Sequence, residues 1–276
     1  MTVNSYLVNL ASDAIVRDLE KLNINKSLEA IDKKLFNHFG SDVSARLVFG
    51  SYSRGTILPR FMDSHSDIDY MVVFNNKNYQ PLTYIEQLRR FAEASYQKSE
   101  VFKDGPTIGL ELNHIRFDLV PAISGSWFGY QIPAPSDAFL KWQDTNPTDF
   151  NGKLIKANQE NNSLIKPLIR LVKYWNADNG YVFESYLLEK KVVERGYYLL
   201  TLIGQAQLKS YFYDFMESLE CSWSEAQWKR EKITRMKQLI KDAKEFERKG
   251  DDYNAEKQIQ KLLPPIGLEG LNALMR

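Results

Sequence analysis

The chain of 276 residues contains one cysteine, Cys221, and three histidines. A single thiol cannot close an internal disulfide. No Cys/His cluster surrounds it, so neither a disulfide framework nor a Cys/His zinc site is expected, and Cys221 reads as a packed thiol. An excess of one charge is also missing: 36 Lys and Arg face 35 Asp and Glu, a formal balance of +1. That balance gives no reason to expect a long nucleic-acid footprint, although a local basic patch stays open. No apolar run approaches the roughly 20 residues that span a bilayer. The N-terminal stretch lacks a basic start and a continuous apolar segment, because Asp13, Asp18 and Glu20 interrupt it. It is therefore a poor signal peptide. These absences predict a soluble, cytoplasmic protein with no membrane partner.

What is present is an ordinary globular composition, 43% hydrophobic and 26% charged. The length suits one large domain or two lobes sharing a core. The first forty residues read as helical, with Leu28, Ile31, Leu35, Phe36 and Phe39 at helical spacing and Gly40 as a stop. Strands are predicted at 46–49, 67–74, 107–112 and 115–121, and a helix at 84–96. Residues 124–151, rich in Pro, Gly, Ser and Asp, read as irregular structure bridging two lobes. The aromatics Trp127, Phe128, Tyr130, Phe139 and Trp142 are expected to pack that bridge. Helices are predicted at 164–174, 184–194, 197–211 and 226–249. The resulting division is 1–150, a mixed α/β lobe with N-terminal helices, and 151–276, a helical lobe.

The chemistry concentrates in residues 50–74, GSYSRGTILPRFMDSHSDIDYMVVF. Asp67 and Asp69 are two apart on a predicted strand, so they point to one face. Two adjacent carboxylates repel each other unless a cation compensates. Mg²⁺, which favours carboxylate oxygens together with substrate phosphates, would serve, as could Mn²⁺. Asp118, in IRFDLVPA, lies on a later strand where Arg116 and Asp118 share one face and Ile115, Phe117 and Leu119 the other. If the two strands are neighbours, Asp67, Asp69 and Asp118 could hold two ions about 4 Å apart, the arrangement that clamps an attacking and a leaving oxygen. Gly50 and Ser51 complement them, since glycine allows close backbone approach to phosphate and serine adds a donor. Arg54 has two readings, a phosphate contact or a brace. Asp63 and His65 read as ordinary loop residues, and His114 as a turn residue.

These motifs resemble the nucleotidyltransferase superfamily of DNA polymerase beta-like enzymes. They are most similar to the bacterial cGAS/DncV-like nucleotidyltransferases, whose pattern is Gly-Ser, an Arg-Gly-Thr loop, an Asp-x-Asp strand and a later single Asp. Here these read GSYSRGT, DID and FDLVPA. LIRLVKYWN, residues 168–176, looks like the family's helix bearing a phosphate-gripping lysine, with Lys173 in that place. ESYLLE, residues 184–189, is similar to the segment in which Ser185 would touch the triphosphate and Tyr186 would stack on a base. The likeness covers about residues 30–210. It implies an α+β, two-lobed polymerase beta-like fold and Mg²⁺-dependent joining of nucleoside triphosphates into a cyclic or short linear oligonucleotide. It also implies a setting in anti-phage signalling, where a separate effector senses the product.

Residue spacing alone says less about the helical lobe. Lys166, Arg170 and Lys173 form one stripe, and for Lys166 and Arg170 a solvent face is the expected reading. Core packing rivals base stacking for Tyr186. Residues 229–244, with seven Lys/Arg and two acids, read as a solvated helix face. Two other functions stay open: transfer to an RNA 3′ end or a protein acceptor, and a nucleotide-binding module without turnover.

Overall fold

β-branched and aromatic residues in short runs organise the first half of the chain into a sheet. The computed structural model describes residues 1–276 apart from 126–128, 135–140, 203, 205, 268–269 and 271–276. Its strands are β1 (Val43–Val48), β2 (Asp67–Phe74), β3 (Glu100–Asp104), β4 (Thr107–Glu111), β5 (Arg116–Ser124), β6 (Tyr130–Pro133) and β7 (Trp142–Thr145). They form one sheet in the order β1-β2-β5-β4-β3, with β6 pairing β5 and β7 pairing β6. β2 and β5 run parallel. The other pairs are antiparallel. The strands expected at 67–74 and 115–121 are β2 and β5. β3, β6 and β7 fall where no strand is predicted. β3, EVFKD, is exposed at both ends, as suits a charged edge strand.

The helices are α1 (Val3–Asp13), α2 (Asp18–Phe39), α3 (Gly50–Arg54), α4 (Pro81–Ser95), α5 (Pro147–Glu160), α6 (Ile165–Asp178), α7 (Ser185–Glu194), α8 (Tyr198–Leu202), α9 (Leu208–Ser218), α10 (Gln227–Arg248) and α11 (Asp252–Leu262). Local chemistry sets several of their ends. Thr2 caps α1 by accepting the Ser5 N–H at 3.2 Å. Pro81 opens α4, where its missing N–H costs nothing. Asp251 caps α11 through the Asn254 N–H at 3.0 Å. The single helix expected over 197–211 is instead α8 and α9. Residues 124–151, expected to be irregular, contain β6, β7 and the start of α5. Trp127, Phe128 and Phe139 lie outside the described residues.

Two compact units share the chain. The sheet unit comprises Arg17–Ile57 and His65–Gly152, and the helical unit comprises Met1–Val16, Leu58–Ser64 and Lys153–Arg276. This differs from a single cut near residue 150: α1 and the 58–64 loop belong with the C-terminal helices. The reason is apolar. Val3, Tyr6, Leu7, Leu10 and Ala11 of α1 are buried in the same core as Leu168, Leu171, Trp175, Phe212 and Ile259.

In the sheet unit, Ile68, Tyr70, Val72 and Phe74 alternate to one face of β2, and α4 packs on β3, β4 and β5. Phe39, Phe74, Tyr84 and Phe91 form an aromatic cluster there, with ring centroids 4.8–5.7 Å apart. Trp142 joins it against Tyr84, and Tyr130 packs under Met71, Val73 and Ala122 on the other face. Both aromatics thus pack within this unit.

In the helical unit, the Tyr6 hydroxyl donates to the Leu263 carbonyl at 2.6 Å, and the Tyr174 hydroxyl to that of Pro264 at 3.1 Å. Arg170 is buried and not on a solvent face, because α1 lies across α6. Its Nε donates to the Ala11 carbonyl at 3.1 Å, satisfying an acceptor at the C-terminal end of α1. Burial pushes the Arg170 guanidinium down to about 10, so it keeps its charge at neutral pH. On α10, Ile233, Met236 and Ile240 are buried, as their spacing predicts. Lys229 pairs with Glu225 and Lys244 with Glu217, in line with a solvated face.

Candidate active site

The N-terminal half of β2 is half-buried at Asp67 and Asp69 and buried at Ile68 and Tyr70; from Met71 onward every position is buried. Both carboxylates therefore sit on the one accessible stretch of an otherwise enclosed strand. β5 lies parallel beside it, with Asp67 opposite Arg116 and Asp69 opposite Asp118. Neighbouring residues in register share a sheet face, so Asp67, Asp69, Arg116 and Asp118 line one surface, away from α4. The next strand, β4, sets Gly109 opposite Asp118 and Glu111 opposite Arg116.

Gly50 meets the same surface. It lies two residues past the end of β1 and has φ +68°, and a Cβ built on it would come within 1.7 Å of the Asp69 Oδ2. Only glycine satisfies both the backbone and the space. The Phe49 N–H donates to the Asp69 carbonyl at 3.0 Å and ties this turn to β2. Ser51 is half-buried. Its carbonyl accepts the N–H groups of Thr56 and Ile57 at 3.0 and 3.1 Å, so the GSYSRGT segment folds back on itself around α3. Gly55, at φ +69°, ends that helix in the left-handed conformation. Arg54 is buried and lies over the Phe150 ring at 5.2 Å, which favours the brace over the phosphate contact.

Of Asp67, Asp69 and Asp118, Asp118 is the most enclosed, 9% exposed. Arg116 grips it with both arms of the fork: Nε donates to Oδ1 at 2.7 Å and Nη2 to Oδ2 at 2.9 Å. Arg116 Nη2 also reaches Asp104 Oδ2 at 2.5 Å. Burial raises the Asp118 carboxyl above the ordinary aspartate range, with the guanidinium opposing it. Alternation on β5 is the sequence signal for this pair, but the partnership with Asp104 depends on β3, which the sequence pattern does not reveal.

The donor set suits Mg²⁺ or Mn²⁺: hard carboxylate oxygens, two of them register partners, beside a glycine turn. Among the described residues, no three His, Cys, Asp or Glu side chains are gathered closely enough to ligate an ion as they stand. The strands bring the acids to one face, while Asp118 spends both its oxygens on Arg116.

The other predicted contacts belong to the helical unit. Lys173 is buried on α6 at 7% exposure. Ser185 is the first residue of α7, and Tyr186 is 45% exposed, so core packing does not account for Tyr186. Asn176 fixes the turn between these helices by bonding both the Phe183 carbonyl at 2.9 Å and its N–H at 3.0 Å. Asp63 is not a solvated loop residue. It is buried and accepts the Tyr181 hydroxyl at 2.5 Å, with Tyr181 in the left-handed region at φ +58°. His65 is exposed, and His114 lies 3.2 Å from the Ser27 hydroxyl.

The profile of the Second Messenger Oligonucleotide or Dinucleotide Synthetase domain matches residues 1–158. A probable cyclic nucleotide synthase of Bacillus cereus is 31% identical over 103 residues, 36% of this chain and 31% of the relative. A cyclic AMP-AMP-AMP synthase of Acinetobacter is 26% identical over 152 residues, 53% of this chain and 43% of the relative. The chain thus spans less than half the length of these curated relatives. The Vibrio cholerae di-nucleotide cyclase DncV, solved with ATP and GTP, superposes with a TM-score of 0.74 at 9% identity over 98% of both chains. That likeness establishes the α+β polymerase beta-like fold. The domain match covers more than half of the residues and includes the glycine turn and all three acids. The chain belongs to the Second Messenger Oligonucleotide or Dinucleotide Synthetase domain family.

Proposed function

We propose that this chain is a metal-dependent nucleotidyltransferase that joins nucleoside triphosphates into a cyclic or short linear oligonucleotide used as a second messenger. The observation that carries the reading is the β2–β5 register, which sets Asp69 beside Asp118 with Gly50 packed on the Asp69 carboxylate. Family membership and the synthase names of the Bacillus and Acinetobacter relatives support it. A ribose hydroxyl of one nucleotide attacks the α-phosphate of another; the new P–O ester forms, the α–β bond breaks and pyrophosphate leaves.

Asp67, Asp69 and Asp118 would hold Mg²⁺ or Mn²⁺. When bound, the metal supplies positive charge to the triphosphate and polarises the attacking hydroxyl. Gly50 keeps the space beside Asp69 open, and Ser51 offers a hydroxyl from the same turn. Lys173 supplies a cation for the triphosphate. Ser185, at the N-terminal end of α7, adds a hydroxyl where the helix favours negative charge. Tyr186 offers an exposed ring for a base. In this reading the product acts on a separate effector, in the manner of anti-phage signalling.

The test is product analysis. Purified protein with Mg²⁺ or Mn²⁺ and the four labelled nucleoside triphosphates should yield a small phosphatase-resistant species that Asp67→Asn does not make. Label found only in RNA or protein would move the acceptor assignment. Absence of pyrophosphate under all acceptor conditions would leave a binding module. Lys173→Ala should raise the KM for nucleoside triphosphate by about tenfold, with kcat changed less. An unchanged KM in a folded variant would return Lys173 to a packing role.

A further inference from the structure

We propose that Arg116 is an internal counter-cation for the active site, which holds Asp118 while no metal is bound and yields it when the ion arrives. The proposal rests on the metal-site reading above. Its first support is geometry: the guanidinium engages both Asp118 oxygens, at 2.7 and 2.9 Å. A carboxylate bound at both oxygens has its best lone pairs already committed. An incoming divalent ion must displace the fork before Asp118 can become a ligand.

The second support is that Arg116 has somewhere to remain. Its Nη2 reaches Asp104 on β3 at 2.5 Å. Its guanidinium carbon lies over the Phe102 ring at 4.9 Å. Phe102 in turn occupies the space above Gly109, where a Cβ would meet the ring at 2.6 Å. Glu111 is the register partner of Arg116 on β4. Arg116 is therefore supported by an aromatic platform and a second carboxylate, neither of which depends on Asp118. Release of Asp118 leaves the guanidinium paired and stacked, not stranded.

Arg116 is accordingly a positioning residue that sets how much metal the site needs. It keeps Asp118 oriented and neutralised, and raises the concentration at which the third ligand is recruited. The surrounding acids Asp67, Asp69, Asp104 and Glu111 give the ion and the guanidinium alternative partners, so the exchange conserves charge pairing.

The experiment is Mn²⁺ binding to the full chain without nucleotide, read from the free-ion electron paramagnetic resonance signal. Wild type, Arg116→Gln, Arg116→Lys and Asp69→Asn are compared, with melting temperatures as a folding check. Arg116→Gln should bind Mn²⁺ about tenfold more tightly than wild type, because the competing fork is gone. Arg116→Lys keeps the charge without the fork and should fall between the two. Equal or weaker binding by Arg116→Gln would overturn the proposal. So would an Arg116→Lys protein indistinguishable from wild type, which would leave bulk charge as the only effect. Loss of binding in Asp69→Asn, with Arg116→Gln unchanged, would sink this inference and leave the metal site standing. If Asp69→Asn binds as well as wild type, the site reading and this inference fall together.

Discussion

Asp69→Asn is expected to lower nucleotide joining by on the order of a thousandfold or more while leaving the melting temperature unchanged or slightly higher. Asparagine keeps the shape of the side chain, so the packing of Gly50 against it survives. The substitution removes one charge from a face that already carries Asp67 and Asp118, and relieves their mutual repulsion. Loss of activity with retained stability is the signature of a charge kept for chemistry. Pyrophosphate release and a thermal melt on the same preparation would check both halves. A variant with near-normal turnover would remove Asp69 from the metal site, and a variant that unfolds would make it a structural residue.

Gly50→Ala is expected to cost activity out of proportion to stability. The left-handed backbone at φ +68° penalises any Cβ, by about 1–2 kcal/mol. The added methyl would also fall 1.7 Å from the Asp69 Oδ2 and 2.9 Å from its Cβ. The carboxylate must then swing away, and displacement of a reacting group by about an ångström costs roughly a hundredfold in rate. Turnover should therefore fall by about a hundredfold or more, with Mn²⁺ binding weakened in parallel. Activity near that of wild type would mean that Asp69 reacts from a rotamer other than the one packed on Gly50.

The contrast between these two residues shows what the sequence could reveal. DIDYMVVF announces its own strand and its own paired acids, because β-branched residues and a two-residue repeat act locally. Asp118 is legible for the same reason, and the α6 and α10 faces follow from helical spacing. The need for Gly50 as glycine is partly legible, since Gly-Ser after a strand points to a tight turn. Its collision partner is not, because nineteen positions and a strand pairing separate them. Arg170 looks like one of three evenly spaced cations on a solvent stripe. Its burial comes from α1, some 160 residues earlier in the chain, and no local pattern carries that contact. The break between α8 and α9 and the polar edge strand β3 are missed for a related reason. Their apolar content is too slight or too continuous to mark an end, and tertiary pairing decides them. β3 matters most, because without it Asp104 and Phe102 cannot be placed near Arg116.

The burial of α1 against α6, α9 and α11 has a consequence for how the protein is made. The sheet unit is complete once residue 152 has been added. α1, synthesised before the sheet, is different: Tyr6 waits for the carbonyl of Leu263. At about 5–20 residues per second, the interval between them is roughly 10–50 s. Throughout that time Val3, Leu7 and Leu10 lack the full core that covers them in the finished fold. A ribosome therefore displays the carboxylate-bearing sheet before α6, α9 and α11 emerge in turn to cover α1. Chains that stop short of α11 lack Ala255 and Ile259 from that core, and the carbonyl that accepts the Tyr6 hydroxyl.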